Sequence, residues 1–510
     1  MGKAVDRIIL ALKKKEKIMI FGDYDVDGVT SSYIVYKFLT KYLNYKNVSI
    51  QYPDRIKEWY GLKKLHIDQM KEKNIDLIIT VDNGIASLAE GIYAKEQWID
   101  LIITDHHQDL ESLPQAIAVV NPQVSPNYPF KWLAWVGVAF KVICALLTKS
   151  TFDQEKRNQI FNYFLPIVTI GTVADIVPLV GENRALVKRW LELMNGRHSD
   201  LPSSIVGFLD YLWIKDPIDT FHIGFLIGPR INAGGRIKSP YESLYALLYS
   251  GEKQVQHLQN LDAINNERKQ MQEEMIKKAE SMIDLSKKFL FIADEGFHEW
   301  VVGIVSGRLT EKYNKPSLVM KIDREKNLGT ASLRGPSYFS VIDMIKSVSD
   351  ILERFGGHRW AWWLWVKLEH LDVLKERFEC YCENCIKDED IEKSISIDTK
   401  IYPHEWTTES LHAVYKLAPF GEGNKEPLFL LENVQINKIE KIWQKVKTHL
   451  KIHGQLGDNK ISAMFWGKGE EAQGLNTDKK THMNLIGTVK KDNFNGGYFL
   501  DGSSRDFYPE

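Results

Sequence analysis

Over residues 1–125, short runs of apolar residues alternate with longer stretches in which apolar positions recur every three or four residues. The runs are Lys17–Phe21, Val48–Tyr52, Asp76–Val81, Ile99–Thr104 and Ala116–Val120, all rich in Ile and Val, while Thr30–Tyr42 and Ser87–Trp98 carry the helical period. Continuous apolar strands between helices predict a parallel sheet covered on both faces, because each strand then buries both rows of side chains. From Lys131 to about Met194 the pattern is helical, and the charged, Gly-poor stretch Glu252–Lys288 reads as one or two long solvated helices joining domains. Strand runs return at Phe289–Ala293 and Pro316–Ile322 and predict a second, smaller α/β domain. Beyond Lys393 come Leu428–Leu431, Val434–Lys438, Thr448–His453, Lys460–Phe465, Met483–Val489 and Gly497–Leu500, a spacing that suits a small β-barrel. The expected class is α/β, with a parallel-sheet domain over 1–200, a helical connector over 201–288, the smaller α/β domain over 289–392 and a β-barrel over 393–510.

Length agrees: 510 residues at roughly 150 per domain make about three domains. A net charge of -1 excludes a blanket basic coat for nucleic acid but leaves room for a local basic groove. No run approaches the roughly 18 uninterrupted apolar residues of a membrane helix, and Met1–Lys17 reads as an amphipathic helix, not a signal peptide. Four cysteines rule out a disulfide framework and point to a reducing cytoplasm. Three of them, Cys380, Cys382 and Cys385, fall in a helical pattern without an obvious fourth ligand, so they read as incidental and not as a zinc site.

Candidate chemistry lies in four clusters: Asp23-Tyr24-Asp25-Val26-Asp27-Gly28, Val81-Asp82-Asn83-Gly84, Thr104-Asp105-His106-His107 and Ala174-Asp175-Ile176-Val177-Pro178. The first three directly follow predicted strands, and residues past the carboxyl ends of neighbouring parallel strands converge in one crevice. Carboxylates packed so densely raise one another's pKa unless a cation sits among them. Mixed Asp and His ligands favour Mn²⁺ or Mg²⁺, as a pair. Each cluster has a duller explanation alone. Asp-x-Asp-x-Asp-Gly resembles a calcium loop, yet Ile34 stands where such a loop needs Glu, and a lone Asp after a strand is commonly a helix cap. Four such clusters in this order are hard to explain without a metal site.

DYDVDG, VDNG, TDHH and ADIVPL resemble the four motifs of the DHH phosphoesterase superfamily. GPRINAGGRI (Gly228–Ile237), VVGIVSGR (Val301–Arg308), ASLR (Ala331–Arg334), FGGH (Phe355–His358) and PFGEGN (Pro419–Asn424) are similar to motifs of the RecJ family of bacterial single-strand-specific exonucleases. The resemblance implies DHH, DHHA1 and OB domains and a 5′→3′ exonuclease that releases mononucleotides from single-stranded DNA in repair and recombination. It implies that Asp25, Asp27, Asp82, His106 and Asp175 hold two divalent ions, Mn²⁺ or Mg²⁺, with Asp82 bridging and Asp23 a further ligand or supporting acid. His107 would contact the scissile phosphate and Asp105 would orient the His pair. Arg230, Arg236, Ser332, Arg334 and His358 would grip the DNA end. Lys445, Lys447, Lys451 and Phe465 offer contacts in the barrel, although solvated strand-face lysines are an equal account. Implied partners are single-strand-binding protein and recombination helicases, acting with a monomer and no membrane. Relatives carry a further segment before the first strand, so that segment is expected to be shortened or missing. Rival readings are a DHH phosphodiesterase for short oligonucleotides or cyclic dinucleotides, and a non-catalytic DNA-binding scaffold. The C-terminal β region argues against the first, and the filled ligand positions against the second.

The 14 tryptophans depart from that pattern. Trp59, Trp135, Trp300 and Trp363 fall where the family has Gly, and Trp360, Trp362, Trp365 and Trp443 are also suspect. Gly serves such positions because a Cβ would clash or demand positive φ. Stacking on bases accounts for one or two of these indoles, not for a systematic exchange. The expectation is a gene that reads UGA as glycine, translated here with UGA as Trp. The metal motifs contain no Trp.

Overall fold

The computed structural model describes residues 1–54, 61–107, 112–195, 201–214, 217–358, 360–444, 447–469, 482–492, 496–502 and 507–509. Two compact units form, Met1–Asp175 with His198–Ser394, and Ile176–Arg197 with Ile395–Glu510.

In the first unit the apolar runs become five strands, β1 (Ile18–Phe21), β2 (Val48–Gln51), β3 (Leu77–Val81), β4 (Asp100–Thr104) and β5 (Ala118–Val120), parallel in the order β2-β1-β3-β4-β5. Every residue of β1 and β3 is buried, which is why their sequences are continuously apolar. Each buried Ile or Leu contributes about 1.5–3 kcal/mol. Helices α1 (Gly2–Lys14), α2 (Val26–Lys37), α3 (Lys64–Glu72), α4 (Leu88–Glu96), α5 (Trp135–Thr148) and α6 (Gln154–Ala174) accompany the sheet. The chain leaves β1 toward β2 on one side and returns to β3 on the other, so a topological switch point opens between the ends of β1 and β3.

Past α7 (Gly181–Asn195), which belongs to the second unit, the first unit continues with α8 (Ser203–Tyr211), α9 (Gly228–Ile237), α10 (Pro240–Leu248) and α11 (Glu252–Glu280). The charged stretch is one helix of 29 residues, and its buried Leu258, Leu261 and Ile264 form a stripe that packs α11 on the preceding helices. A mixed sheet follows: β6 (Leu290–Asp294), α12 (Val302–Tyr313), β7 (Ser317–Asp323), β8 (Leu328–Arg334), β9 (Leu352–His358) and β10 (Ala361–Lys367), ordered β6-β7-β8-β10-β9. ASLR and FGGH, motifs without a predicted element, thus lie at the ends of β8 and β9. Helix α13 (Leu371–Cys385) carries Cys382 buried and Cys380 and Cys385 exposed, all as free thiols.

In the second unit, β11 (Thr399–Lys400), β12 (Phe429–Gln444), β13 (Lys447–Leu456), β14 (Asn459–Phe465), β15 (His482–Lys491), β16 (Tyr498–Asp501) and β17 (Phe507–Pro509) form one sheet. Pairing of β12 with both β13 and β15 closes five of these strands into a barrel. Two predicted strands, Leu428–Leu431 and Val434–Lys438, are one bulged strand, with Asn433 at φ 54 in the irregularity between Leu431 and Val434. Phe465 is fully buried in the barrel core, which corrects its reading as a base contact: an aromatic ring there packs and cannot stack on DNA. Lys451 lies opposite Glu440 on a neighbouring strand, while Lys445 and the side chain of Lys447 fall outside the described residues. PFGEGN grips α7's entry: the Glu422 carbonyl accepts from Leu179 N–H, and Arg184 donates to the carbonyls of Leu417 and Ala418.

Candidate metal centre

The three strand-end motifs meet at the switch point as the spacing predicted. Asp25 caps α2, its Oδ1 accepting from the backbone N–H of Asp27 and Gly28 at 3.0 Å each. A Cβ on Gly28 would come within 2.5 Å of the Asp23 carbonyl, so only glycine lets the loop fold this tightly. Asp27 is fully buried, and its two oxygens accept from the N–H groups of Trp135 and Val136, at 2.8 and 2.9 Å, at the start of α5. Helix N-termini favour negative charge, so α5 fixes this carboxylate from behind. Asp82 stands at φ 65, a left-handed backbone that Asp tolerates better than most residues. Gly84, at φ 112, completes that turn.

Asp105 is buried and holds three donors: Oδ2 accepts from Ile85 N–H, and Oδ1 accepts from the His107 backbone N–H and Nδ1, each at 2.8 Å. His106 turns its Nδ1 toward the Leu133 carbonyl at 3.3 Å. Its Nε2 then faces Asp175 Oδ2 at 3.8 Å and Asp82 Oδ1 at 4.0 Å. Asp105 therefore orients only His107, and Leu133 orients His106.

Three overlapping donor sets result, each with its atoms within 4.8 Å of one another: Asp23, Asp25 and Asp82; Asp82, His106 and His107; Asp27, His106 and Asp175. Electrostatics registers the crowding. Burial, then repulsion from Asp25, pushes Asp27 up to about 7. Burial and the charges of Asp25, Asp27 and Asp23 raise Asp82, and burial with Asp27 and Asp25 raises Asp175. Burial lowers His106 to about 4, keeping a neutral ring with a lone pair to offer. Burial also opposes charge on His107, but Asp105 outweighs it and raises the pKa. Acidic oxygens with neutral imidazole suit hard and borderline divalent cations.

Residues outside the four motifs complete the centre. Asn232 Oδ1 accepts from Val26 N–H at 3.0 Å, and a Cβ on Gly235 would overlap the Tyr24 carbonyl. GPRINAGGRI, read above for its arginines, thus braces the DYDVDG loop. Gly171 leaves room for Asp27: a Cβ there would stand 2.8 Å from Asp27 Oδ1. A glycine or asparagine inside a helical pattern was the available signal. Asn232→Ala is expected to cost about 1 kcal/mol of stability and about tenfold in Mn²⁺ affinity, read by denaturant melts and metal titration.

The DNA-end candidates divide. Arg334 Nη1 donates to Ser332 Oγ at 2.8 Å, and burial lowers the guanidinium pKa. A Cβ on Gly303, at the start of α12, would stand 3.2 Å from both Arg334 Nη2 and Ser332 Oγ, so VVGIVSGR and ASLR share one small polar recess. Arg230 is held by Asp262 at 2.6 Å and donates to the Leu226 carbonyl, which ties α9 to α11. Arg236 lines a cleft of about 490 Å³ with Tyr52, Lys73 and Lys238. The side chain of His358 lies outside the described residues.

A parallel sheet with clustered carboxylates and histidines at its switch point defines the class, and residues 17–172 match the DHH family, N-terminal domain. Residues 397–501 match the RecJ OB domain. The single-stranded-DNA-specific exonuclease RecJ of Bacillus subtilis is 34% identical over 93% of this chain, which spans 59% of that relative. The Haemophilus influenzae RecJ is 31% identical over 84% of this chain and 76% of its own length. The chain belongs to this RecJ family. The crystal structure of RecJ in complex with Mn²⁺ from Thermus thermophilus matches with TM-score 0.81 and 25% identity, covering 99% of this chain and 71% of that one.

Proposed function

We propose that this chain is a metal-dependent exonuclease that hydrolyses single-stranded DNA from the 5′ end to mononucleotides. The observation that carries the reading is the set of three donor groups, linked through Asp82 and through His106, at the switch point. Asp25, Asp27, Asp82, His106 and Asp175 would hold two Mn²⁺ or Mg²⁺ ions, with Asp82 between them and Asp23 beside it. When bound, such a pair supplies a hydroxide near neutral pH and stabilises the attacking and leaving oxygens of an in-line displacement. The chain's own residues do the rest. Asp105 aims His107 at the scissile phosphate, its Oδ1 fixing the ring through Nδ1. The N-terminus of α5 holds Asp27 fixed. Ser332 and Arg334 would seat the terminal phosphate, since a planar guanidinium grips phosphate by two bonds. Relatives named as single-stranded-DNA-specific exonucleases, and the match of the barrel to the RecJ OB domain, favour a DNA strand over a cyclic dinucleotide. Single-strand-binding protein and recombination helicases would be its partners.

The test supplies Mn²⁺ and single- or double-stranded DNA labelled at the 5′ or 3′ end. It compares the chain as given with one carrying Gly at Trp135, Trp300 and Trp363. Mononucleotides are expected from the 5′ end of single strands, and chelation is expected to stop their release. A folded, metal-loaded protein of either form that spares DNA but cleaves cyclic dinucleotides overturns the assignment.

A further inference from the structure

Helix α4 ends in two bonds that define a left-handed cap: Trp98 N–H donates to the Lys95 carbonyl and Ile99 N–H to the Ala94 carbonyl. Helix α8 ends identically, with Trp213 N–H on Asp210 and Ile214 N–H on Leu209. Both tryptophans sit in the left-handed region, at φ 61 and φ 56. Glycine dominates this position because it has no Cβ to meet the following carbonyl, and asparagine comes next. At the end of α3 Asn74, at φ 56, caps with the same pair of bonds, and at the end of α1 Lys15, at φ 58, does so with a flexible unbranched side chain in place of an indole. A bulky residue there is a genuine outlier. Little side-chain burial offsets it: Trp98 is 88% exposed and Trp213 85%.

A second observation is independent of backbone angle. Trp135 is fully buried, and its indole Nε1 has no hydrogen-bond partner among the described residues. Among the described residues the buried Nε1 of Trp190 is likewise unpartnered, as is that of Trp362, across the hairpin from Gly357. A tryptophan placed in a core usually pairs its N–H, since leaving it bare forfeits the bond it made with water. Trp466 follows that rule, donating to Asp501 Oδ1 at 3.0 Å. At position 135 only the backbone is used, as its N–H holds Asp27. The indole fills the space beside His106 and His107, with ring centroids 5.2 and 6.1 Å away.

We propose that positions 98, 135 and 213 are glycines in the working protein, encoded by UGA that its source cell reads as glycine. Two exposed left-handed helix caps and an orphaned indole inside the metal centre are the structural marks of the exchange. At 135, and resting on the exonuclease reading, glycine keeps the N–H that holds Asp27 while opening the flank of both histidines to a phosphodiester.

Peptide mass spectrometry of the protein isolated from the cells that encode it is the direct test, with the peptide spanning Trp466 as the tryptophan reference. Peptides over 98, 135 and 213 are expected to contain Gly; Trp at 98 or 213 overturns the proposal. A second measurement needs no native source. Trp98→Gly and Trp213→Gly, in the full chain, are each expected to raise the folded-to-unfolded ratio at least about fivefold, because the left-handed penalty disappears. Unchanged or lowered ratios for both variants overturn it. Neither readout depends on nuclease activity, so loss of the exonuclease assignment and loss of this one are told apart.

Discussion

Asp82→Asn is expected to lower single-strand cleavage by at least about a thousandfold, which is about 4 kcal/mol of transition-state stabilisation. Asparagine is the informative replacement: it keeps the side-chain shape and accepts the positive φ of position 82, where alanine would add backbone strain. What it removes is charge. Asp82 belongs to two of the three donor sets, and in the proposed arrangement, where it serves both ions, its loss weakens both positions together. The metal-free protein should respond in the opposite direction. Repulsion among Asp23, Asp25, Asp27, Asp82 and Asp175 burdens the empty centre, and one fewer carboxylate relieves it. Melting curves with and without Mn²⁺ therefore separate the effects. Without metal the variant melts no lower than the parent. With saturating Mn²⁺ the parent gains about 2.7 kcal/mol at a hundredfold excess over Kd and the variant gains little. Equal stabilisation of both proteins would remove Asp82 from the metal centre.

The centre's location was legible in the sequence for a definite reason. A buried parallel strand must be apolar on both faces, so its end is marked wherever polar residues resume. DYDVDG, VDNG and TDHH each begin at such an end, and the switch point between β1 and β3 brings them together. The bracing of the centre was not legible, because it depends on contacts between residues far apart in the chain. Asn232 meets Val26 across 206 positions, and Trp135 meets Asp27 across 108. No local period encodes such pairings. Nor could periodicity show that residues 176–197 cluster with the C-terminal unit, since PFGEGN packs on them through backbone carbonyls that any side chain could accompany. The strands carrying ASLR and FGGH escaped prediction for another reason: glycines and four nearby tryptophans erase the alternation that marks a half-buried strand.

Asp105→Asn is expected to lower kcat about a hundredfold while leaving Mn²⁺ affinity nearly unchanged. Asp105 belongs to none of the three donor sets, and both its oxygens are occupied by Ile85 and His107. Its effect must therefore pass through the orientation and charge of the His107 ring. An asparagine amide has one acceptor oxygen where the carboxylate has two, so it cannot serve Ile85 N–H and both His107 donors together. The Nδ1 contact also loses its charge assistance, and with it the influence that raises the His107 pKa. Losses of 10- to 100-fold are usual when a supporting hydrogen bond behind a metal-centre histidine is removed. The split between constants decides the role. If kcat falls and Mn²⁺ binding holds, Asp105 positions a group that works on the substrate. If metal affinity falls in proportion, His107 is itself a ligand, as its place beside Asp82 and His106 permits, and the scissile phosphate must be met by another residue.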